Sequence, residues 1–401
     1  MTQTQSHTSG AVPVYLDYAA SCPLRPEALE AMRSYDEGPI AGANPNSLHT
    51  MGRAAARELD AARRAIASAL GGGFRPSDVV FTSGGTESNN LAVLGLAEGA
   101  RARSSRRNRV IVSAIEHDSV LDLVGSLRER GFEVELVRPG RDGAVAPEAL
   151  SALLDDTCAL VSVMYANNET GVVQGVPELA RIAHASGALF HTDAVQAFCH
   201  IPLSLDDVDA VSVAAHKIGG PVGVGALAVR GRAPLRPQSF GGGQEMGKRA
   251  GTQDVRGALA FAAAARACSE RLDETRALVA ARANALYQRI CAEGTGIVPT
   301  TSTSVDEGRL PGIVSVMVGG LDSETLILAL DQAGFEVSAA SACSSGSLDA
   351  SHVLLAMGIG RDVALGSLRI SFDERVSEGD LERFSDALIE IVAGRSAGRR
   401  E

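Results

Sequence analysis

The sequence predicts an α/β chain: a large domain on a mostly parallel seven-stranded sheet, then a smaller α/β domain toward the C-terminus. Three observations carry this. Short apolar runs alternate with amphipathic helical runs from residue 79 to 229. An alanine-rich run without internal proline, residues 254–293, separates that region from a second series of β and α pieces. A lysine stands at the end of an apolar run, in Ala214-Ala215-His216-Lys217-Ile218-Gly219-Gly220-Pro221, and not on a solvated face.

Taken in order, residues 1–12 are polar, with no positive start and no apolar core, and are expected to form a disordered tail. Residues 79–82, 110–113, 133–137, 159–163, 188–191, 210–213 and 225–229 read as strands. Residues 86–100, 117–130 and 176–186 read as helices between them. Apolar strands alternating with helices imply a sheet covered on both faces. Ligands then bind beyond the carboxyl ends of its strands. Residues 254–293 read as one long helix joining two domains. Beyond it come pieces at 312–318, 323–333, 335–338, 351–357 and 367–372, then a last helix near Ser377, where Ser377 and Asp380 have capping-box spacing.

Composition narrows the function. The chain has 401 residues, 45% hydrophobic and 21% charged, so it can build a large core. A formal charge of -11 and one short basic cluster, Arg101 to Arg109, argue against nucleic-acid binding. That cluster reads as a solvated helix end and loop. No apolar run is long enough to span a bilayer, and a cytoplasmic location is expected. Six cysteines show no CxxC spacing, so no metal site and no disulfide framework is signalled. Cys158, Cys199 and Cys268 sit in apolar surroundings and read as core. Cys343 sits among Ser, Ala and Gly, in a loop-like setting where a thiol is exposed.

Several stretches have chemical meaning. A partly desolvated lysine amine is a nucleophile toward aldehydes, which makes Lys217 a candidate anchor for pyridoxal 5'-phosphate. Thr82-Ser83-Gly84-Gly85-Thr86 joins a strand to a helix and can cradle a phosphate, without the lysine of a Walker A loop. His117 opens a helix and can lie against an aromatic ring or move protons. Asn168, in an Asn/Gly turn, can bond a ring oxygen. Asp193 ends a strand, where a carboxylate can hold a pyridine nitrogen protonated. Gly241-Gly242-Gly243-Gln244-Glu245 and Arg249-Ala250-Gly251-Thr252 form a glycine-rich loop that could reach a phosphate.

The order of these groups resembles the cysteine desulfurase family, the aminotransferase-class-V branch of fold-type-I PLP transferases. The matching stretches are YLDYAA (15–20), ANPNSLH (43–49), FTSGGTESNN (81–90), EHDSVL (116–121), NNETGVV (167–173), HTDAVQ (191–196), HKIGGPVGVGAL (216–227), GGGQE (241–245), AGT (250–252), SACSSGS (341–347) and GSLRISF (366–372). The resemblance implies a large PLP-binding domain over 27–272. It also implies a small domain from 13–26 plus 273–396 that carries the cysteine loop. Lys217 would hold the cofactor as a Schiff base and shuttle the proton. Asp193 would pair with the pyridine nitrogen, Gln196 with the ring hydroxyl, and His117 would stack on the ring and serve thiol protons. Asn168 would touch the ring oxygen and the substrate carboxylate. Gly85, Thr86 and His216 would hold the phosphate, as would Thr252 from a neighbouring subunit, which implies a homodimer. Arg369 would clamp the substrate carboxylate, and Cys343 would take the sulfur of L-cysteine as a persulfide. The implied partner is a sulfur-acceptor protein, an iron–sulfur scaffold or a tRNA thiolation protein. A selenocysteine lyase, a small-amino-acid aminotransferase, or a PLP-holding subunit of a sulfur-transfer complex would share most of these residues. The Ser-Ala-Cys form around Cys343 resembles the family's long-loop group, which often reads Ser-Gly where this chain has Ala214-Ala215, so one phosphate-binding hydroxyl is missing.

Overall fold

The computed structural model describes residues 12–339 and 350–397. Residues 1–11 of the expected tail, and Cys343, lie outside them. Twelve strands are described: β1 (Val14–Tyr15), β2 (Val79–Thr82), β3 (Arg109–Ser113), β4 (Glu133–Val137), β5 (Cys158–Ser162), β6 (Leu189–Asp193), β7 (Ala210–Ala214), β8 (Gly225–Val229), β9 (Ile297–Pro299), β10 (Ile313–Val318), β11 (Phe335–Glu336) and β12 (Ser367–Ser371).

Strands β2 to β8 form one seven-stranded sheet in the order β2-β8-β7-β6-β5-β3-β4. Every neighbouring pair is parallel except those of β8, which runs against both β7 and β2. The reason lies in the connections. Parallel neighbours need a long crossover, whereas β7 and β8 are joined by residues 215–224 alone, and so short a link returns antiparallel. That link holds Lys217. Gly219 within it has φ +80, and a Cβ there would lie 2.5 Å from Arg25 Cγ and 3.0 Å from the Pro23 carbonyl, so only glycine fits.

β5, β7 and β8 are buried along their whole length, as strands covered on both faces must be. Successive side chains point to opposite faces. Leu160 packs with Val80, Val110 and Leu227 beneath helix Gly85–Arg103. Val161 packs with Ile66, Leu179, Phe190 and Phe261 on the other face, under helices Thr50–Leu70, Val176–Ala185 and Val255–Glu270.

The expected single helix over 254–293 is two. Val255–Glu270 and Leu272–Ile290 meet at Arg271, whose φ of -117 and ψ of 14 leave the helical region. No proline breaks it; the two halves are drawn to different cores. Ala258, Phe261, Ala262 and Ala265 pack against the large sheet. Val279, Ala283, Leu286 and Ile290 pack into a second core with Leu16, Val316, Phe335, Ile370 and Phe384. The expected helix over 117–130 is likewise two short pieces, Asp118–Leu121 and Leu123–Glu129.

The second core is built on the antiparallel sheet β12-β10-β9 and the parallel pair β1-β11. The last helix, Glu378–Ala397, covers it, and Ser377 Oγ accepts the Asp380 amide at 3.1 Å as the capping box requires. The chain near the N-terminus ties the two cores together. Leu16 belongs to the second core and Ala19 to the first. Arg25 donates to the Ile218 carbonyl at 3.0 Å and to Glu374 at 2.7 Å. The basic cluster is only partly solvated: Arg101 lies over the Phe132 ring, and Arg107 donates to the carbonyls of Cys158 and Ser186.

Candidate cofactor site

The carboxyl ends of β2, β3, β5, β6 and β7 open into one cavity of about 240 Å³. Two nearby hollows, each about 30 Å³, have room for little more than water. Gly85, Thr86, His117, Asn168, Asp193, Gln196, His216, Lys217 and Arg369 all line the larger cavity. Thr252 does not; it is exposed, on the loop that precedes helix Val255–Glu270.

Lys217 ends a single 3-10 turn, Ala215–Lys217, directly after β7. Its Nζ donates to the carbonyls of Ala19 and Ala20 at 2.6 and 2.8 Å. The neighbouring His216 is held to about 4 by burial first and by the Lys217 charge second, so its ring is neutral at neutral pH. Asp193 ends β6, almost fully buried. One carboxylate oxygen accepts the Val195 amide at 2.9 Å, the other the Asn89 amide group at 2.6 Å. Beneath it, His191 bridges Ser162 at 2.9 Å and Ser212 at 3.0 Å across three strands, and burial lowers it to about 3.

His117 caps helix Asp118–Leu121. The Ser119 amide donates to its Nδ1 at 3.0 Å, so that nitrogen is an acceptor and the neutral ring carries its proton on Nε2. Gln196 donates to the Ala19 carbonyl at 2.9 Å. Arg369 on β12 is buried. It donates to the Asn168 carbonyl at 3.0 Å and to Asp17 at 2.8 Å, while its Nε meets no partner among the described residues.

These groups fit pyridoxal phosphate. An aldehyde needs the Lys217 amine, and a pyridine nitrogen needs the Asp193 carboxylate. A phosphate needs free amides, and the first turn of helix Gly85–Arg103 has no side-chain cap. Packing fixes Gly85 there, since a Cβ would lie 2.9 Å from Val195 Cγ2. The unsatisfied Nε of Arg369 suits an amino acid's carboxylate.

The aminotransferase class-V profile matches residues 14–384. The chain belongs to that family. Among relatives, an IscS-like cysteine desulfurase of Mycobacterium tuberculosis is 40% identical over 391 residues, covering 96% of this chain and 97% of the relative. A cysteine desulfurase IscS of Dictyoglomus turgidum is 38% identical, covering 94% of each chain. Among solved structures, a NifS-like protein superposes with a TM-score of 0.86 at 35% identity, covering 96% of this chain and 100% of that one. A structure described as SspA in complex with cysteine reaches a TM-score of 0.76 at 31% identity, covering 90% and 98%. The seven-stranded, mostly parallel α/β architecture is that of the family.

Several residues of this family site have no role in the sequence reading. Asn89 lies inside the quoted FTSGGTESNN stretch and holds Asp193. Asp17 lies inside YLDYAA and holds Arg369. Ser119 sets the tautomer of His117. Two buried carboxyls flank the site. Glu116 accepts the Met164 amide at 2.5 Å, and burial together with the charge of Asp193 pushes it well above the usual carboxylate range. Glu169 accepts the hydroxyl of Ser351, and burial raises it to about 7. Among the described residues no metal-binding group of His, Cys, Asp and Glu gathers, and no helix is long and apolar enough to cross a membrane.

Proposed function

We propose that the chain is a pyridoxal-phosphate-dependent cysteine desulfurase, turning L-cysteine and the Cys343 thiol into L-alanine and a Cys343 persulfide. One observation carries it: a single cavity gathers an amine, a buried carboxylate, a helix start and a buried guanidinium, the last two with donors that no described residue uses. The relatives named as cysteine desulfurases support the substrate. When bound, pyridoxal phosphate draws electrons from the α-carbon of an attached amino acid and so loosens its Cβ–S bond.

The chain's own residues do the rest. Lys217 would hold the cofactor, and its Nζ would take the α-proton and return it. Asp193, steadied by Asn89, would keep the ring nitrogen protonated. Gly85 and Thr86 would hold the phosphate through helix-start amides, with His216. Asn168 and Gln196 would serve the ring oxygen, and His117 would stack on the ring. Arg369 orients the substrate carboxylate. His117 carries a proton on Nε2 and can exchange it with a thiol. The sulfur on Cys343 then passes to an acceptor protein of iron–sulfur cluster assembly or tRNA thiolation.

We read the assembly as a homodimer with Thr252 serving the neighbouring subunit's phosphate. Exposed apolar side chains support this: Leu48, Phe240 and Met246 lie on loops joined by the Asn46–Gln253 hydrogen bond. A cytoplasmic setting is supported by five described cysteines, all unbridged.

The test is alanine and sulfide formation from L-cysteine with a reductant. Wild type yields both, Lys217→Ala yields neither, and Cys343→Ala keeps the cofactor spectrum while losing sulfide. Full activity of Cys343→Ala overturns the persulfide step.

A further inference from the structure

In the glycine-rich loop at 241–252, Thr252 alone has a part in the reading above, yet Glu245 of the same loop is held by four contacts. Glu245 and Met246 both have left-handed backbones, φ +50 and +58. Non-glycine residues keep that conformation only where their surroundings over-determine it. The Glu245 side chain is fully buried, and both its oxygens are used twice. Oε1 accepts from Arg63 Nη2 and, at 3.0 Å, from Gln253. Oε2 accepts from Arg63 Nη1 at 2.5 Å and from the Phe81 amide at 2.8 Å.

The position of Phe81 explains this investment. Among the described strands β2 is an edge strand, so one side of its backbone has no strand beside it. Arg63 donates to the Val79 carbonyl at 2.7 Å while Glu245 accepts from the Phe81 amide. The ion pair thus supplies the donor and the acceptor that a further strand would supply. Arg63 also lies 4.9 Å from the centre of the Phe81 ring. Directly after this pinned stretch comes the turn at 83–86. The same loop holds the far side of that turn. Arg249 donates to Glu87 at 2.7 and 3.1 Å, and Glu87 accepts the Ser83 amide at 2.6 Å.

We propose that Glu245 is a positioning residue for the cofactor phosphate: with Arg63 it completes the open sheet edge and so holds the turn that presents Gly85 and Thr86, with Arg249–Glu87 as the second tie. This rests on the reading of Gly85 and Thr86 as the phosphate cradle. An ion pair that merely stabilised the fold would weaken every ligand of the cavity alike. A cradle-positioning pair weakens only ligands that carry the phosphate.

The experiment compares pyridoxal phosphate with pyridoxal, which lacks the phosphate, as ligands of the full-length protein. Dissociation constants are read from cofactor absorbance for wild type, Glu245→Gln and Arg249→Gln. Glutamine keeps the size of Glu245, but its amide nitrogen cannot accept from Arg63, Phe81 or Gln253. Expected is a loss of pyridoxal phosphate affinity on the order of 10- to 100-fold, the scale of a misplaced contact, with pyridoxal affinity unchanged. Arg249→Gln changes a partly exposed side chain and decides the matter if Glu245→Gln does not fold. Equal loss for both ligands, or no loss, overturns the proposal. A wild type that shows no preference for the phosphorylated ligand overturns the cradle reading itself, and the proposal with it.

Discussion

Glu169 sits beneath the site, 4% exposed, with Ser351 donating to its carboxyl. Burial raises it from the ordinary 4.5 to about 7. Ser351, Arg369 and His117 pull it down and Asp118 pushes it up, but burial prevails. Between pH 4.5 and 7 the folded chain therefore holds a proton that the unfolded chain has released. Stability contributed by that proton is complete below the lower value and is lost as pH rises through the window, about 3 kcal/mol in all. Glu169→Gln cannot titrate. Its amide still accepts from Ser351, and any cost of the buried NH2 group does not vary with pH. The difference in unfolding free energy, variant minus wild type, should thus climb by about 3 kcal/mol from pH 4.5 to pH 8. Urea unfolding of both proteins at closely spaced pH values measures it, and every other titrating group cancels in the difference. A difference that stays flat across the window refutes the reasoning.

Other substitutions probe the site and the core. Arg369→Lys keeps the charge but loses the fork. A charge-assisted hydrogen bond contributes about 1.5–3 kcal/mol, so KM for L-cysteine should rise on the order of 10- to 100-fold with a smaller change in kcat. An unchanged KM in initial-rate alanine formation would remove Arg369 from substrate binding. Asn89→Ala takes a hydrogen bond from Asp193 and another from Ser119. Expected are a shifted spectrum of the bound cofactor and a kcat lower by about 10-fold or more; an unaltered spectrum and rate would show that Asn89 is only packing. Phe261→Ala empties a site in the large core where the ring stands edge-on to Phe198, centroids 6.1 Å apart. It should cost about 3–5 kcal/mol in urea unfolding, and a loss near zero would mean that the core refills the space.

The large sheet was legible because all its strands but β4 are buried on both faces along most of their length, and an apolar run bounded by turn residues marks such a strand. Strands β2, β4 and β8 fall where the pattern puts them, and the others differ by a residue or two. Antiparallel β8 was not legible, because strand direction depends on what the connection can span and not on the strand's own residues. The kink at Arg271 was hidden for a similar reason. Alanine favours helix on both sides of it, and only the presence of two cores separates the halves. Helix Thr50–Leu70 was missed although Ala55, Leu59, Ala62, Ile66 and Leu70 repeat at helical spacing along its buried face. β1 and β9 are too short to show a period.

At the site, groups with chemistry of their own stood out in the sequence, Lys217, Asp193 and His117 among them, while Arg369 came only through the family resemblance. The groups that hold them did not stand out. Asn89 is an ordinary amide until Asp193 is seen beside it, and Asp17 reaches Arg369 from 352 residues away. Glu245 was quoted only as the end of a glycine-rich motif. Its meaning comes from the unpaired edge of β2, which no local pattern reveals.

The strap at the N-terminus sets an order of events during synthesis. Ala19 and Ala20 supply the carbonyls that receive Lys217, yet the Ala19 amide is itself held by Ser371, 352 residues further along the chain. At ordinary translation speeds that interval is roughly 20 to 70 s. The seven strands of the large sheet are all made well before it ends. A nascent chain therefore owns its lysine, its aspartate and its phosphate turn while the segment that orients the amine still waits for β12. Completion of the cavity becomes a late event, tied to the synthesis of β12.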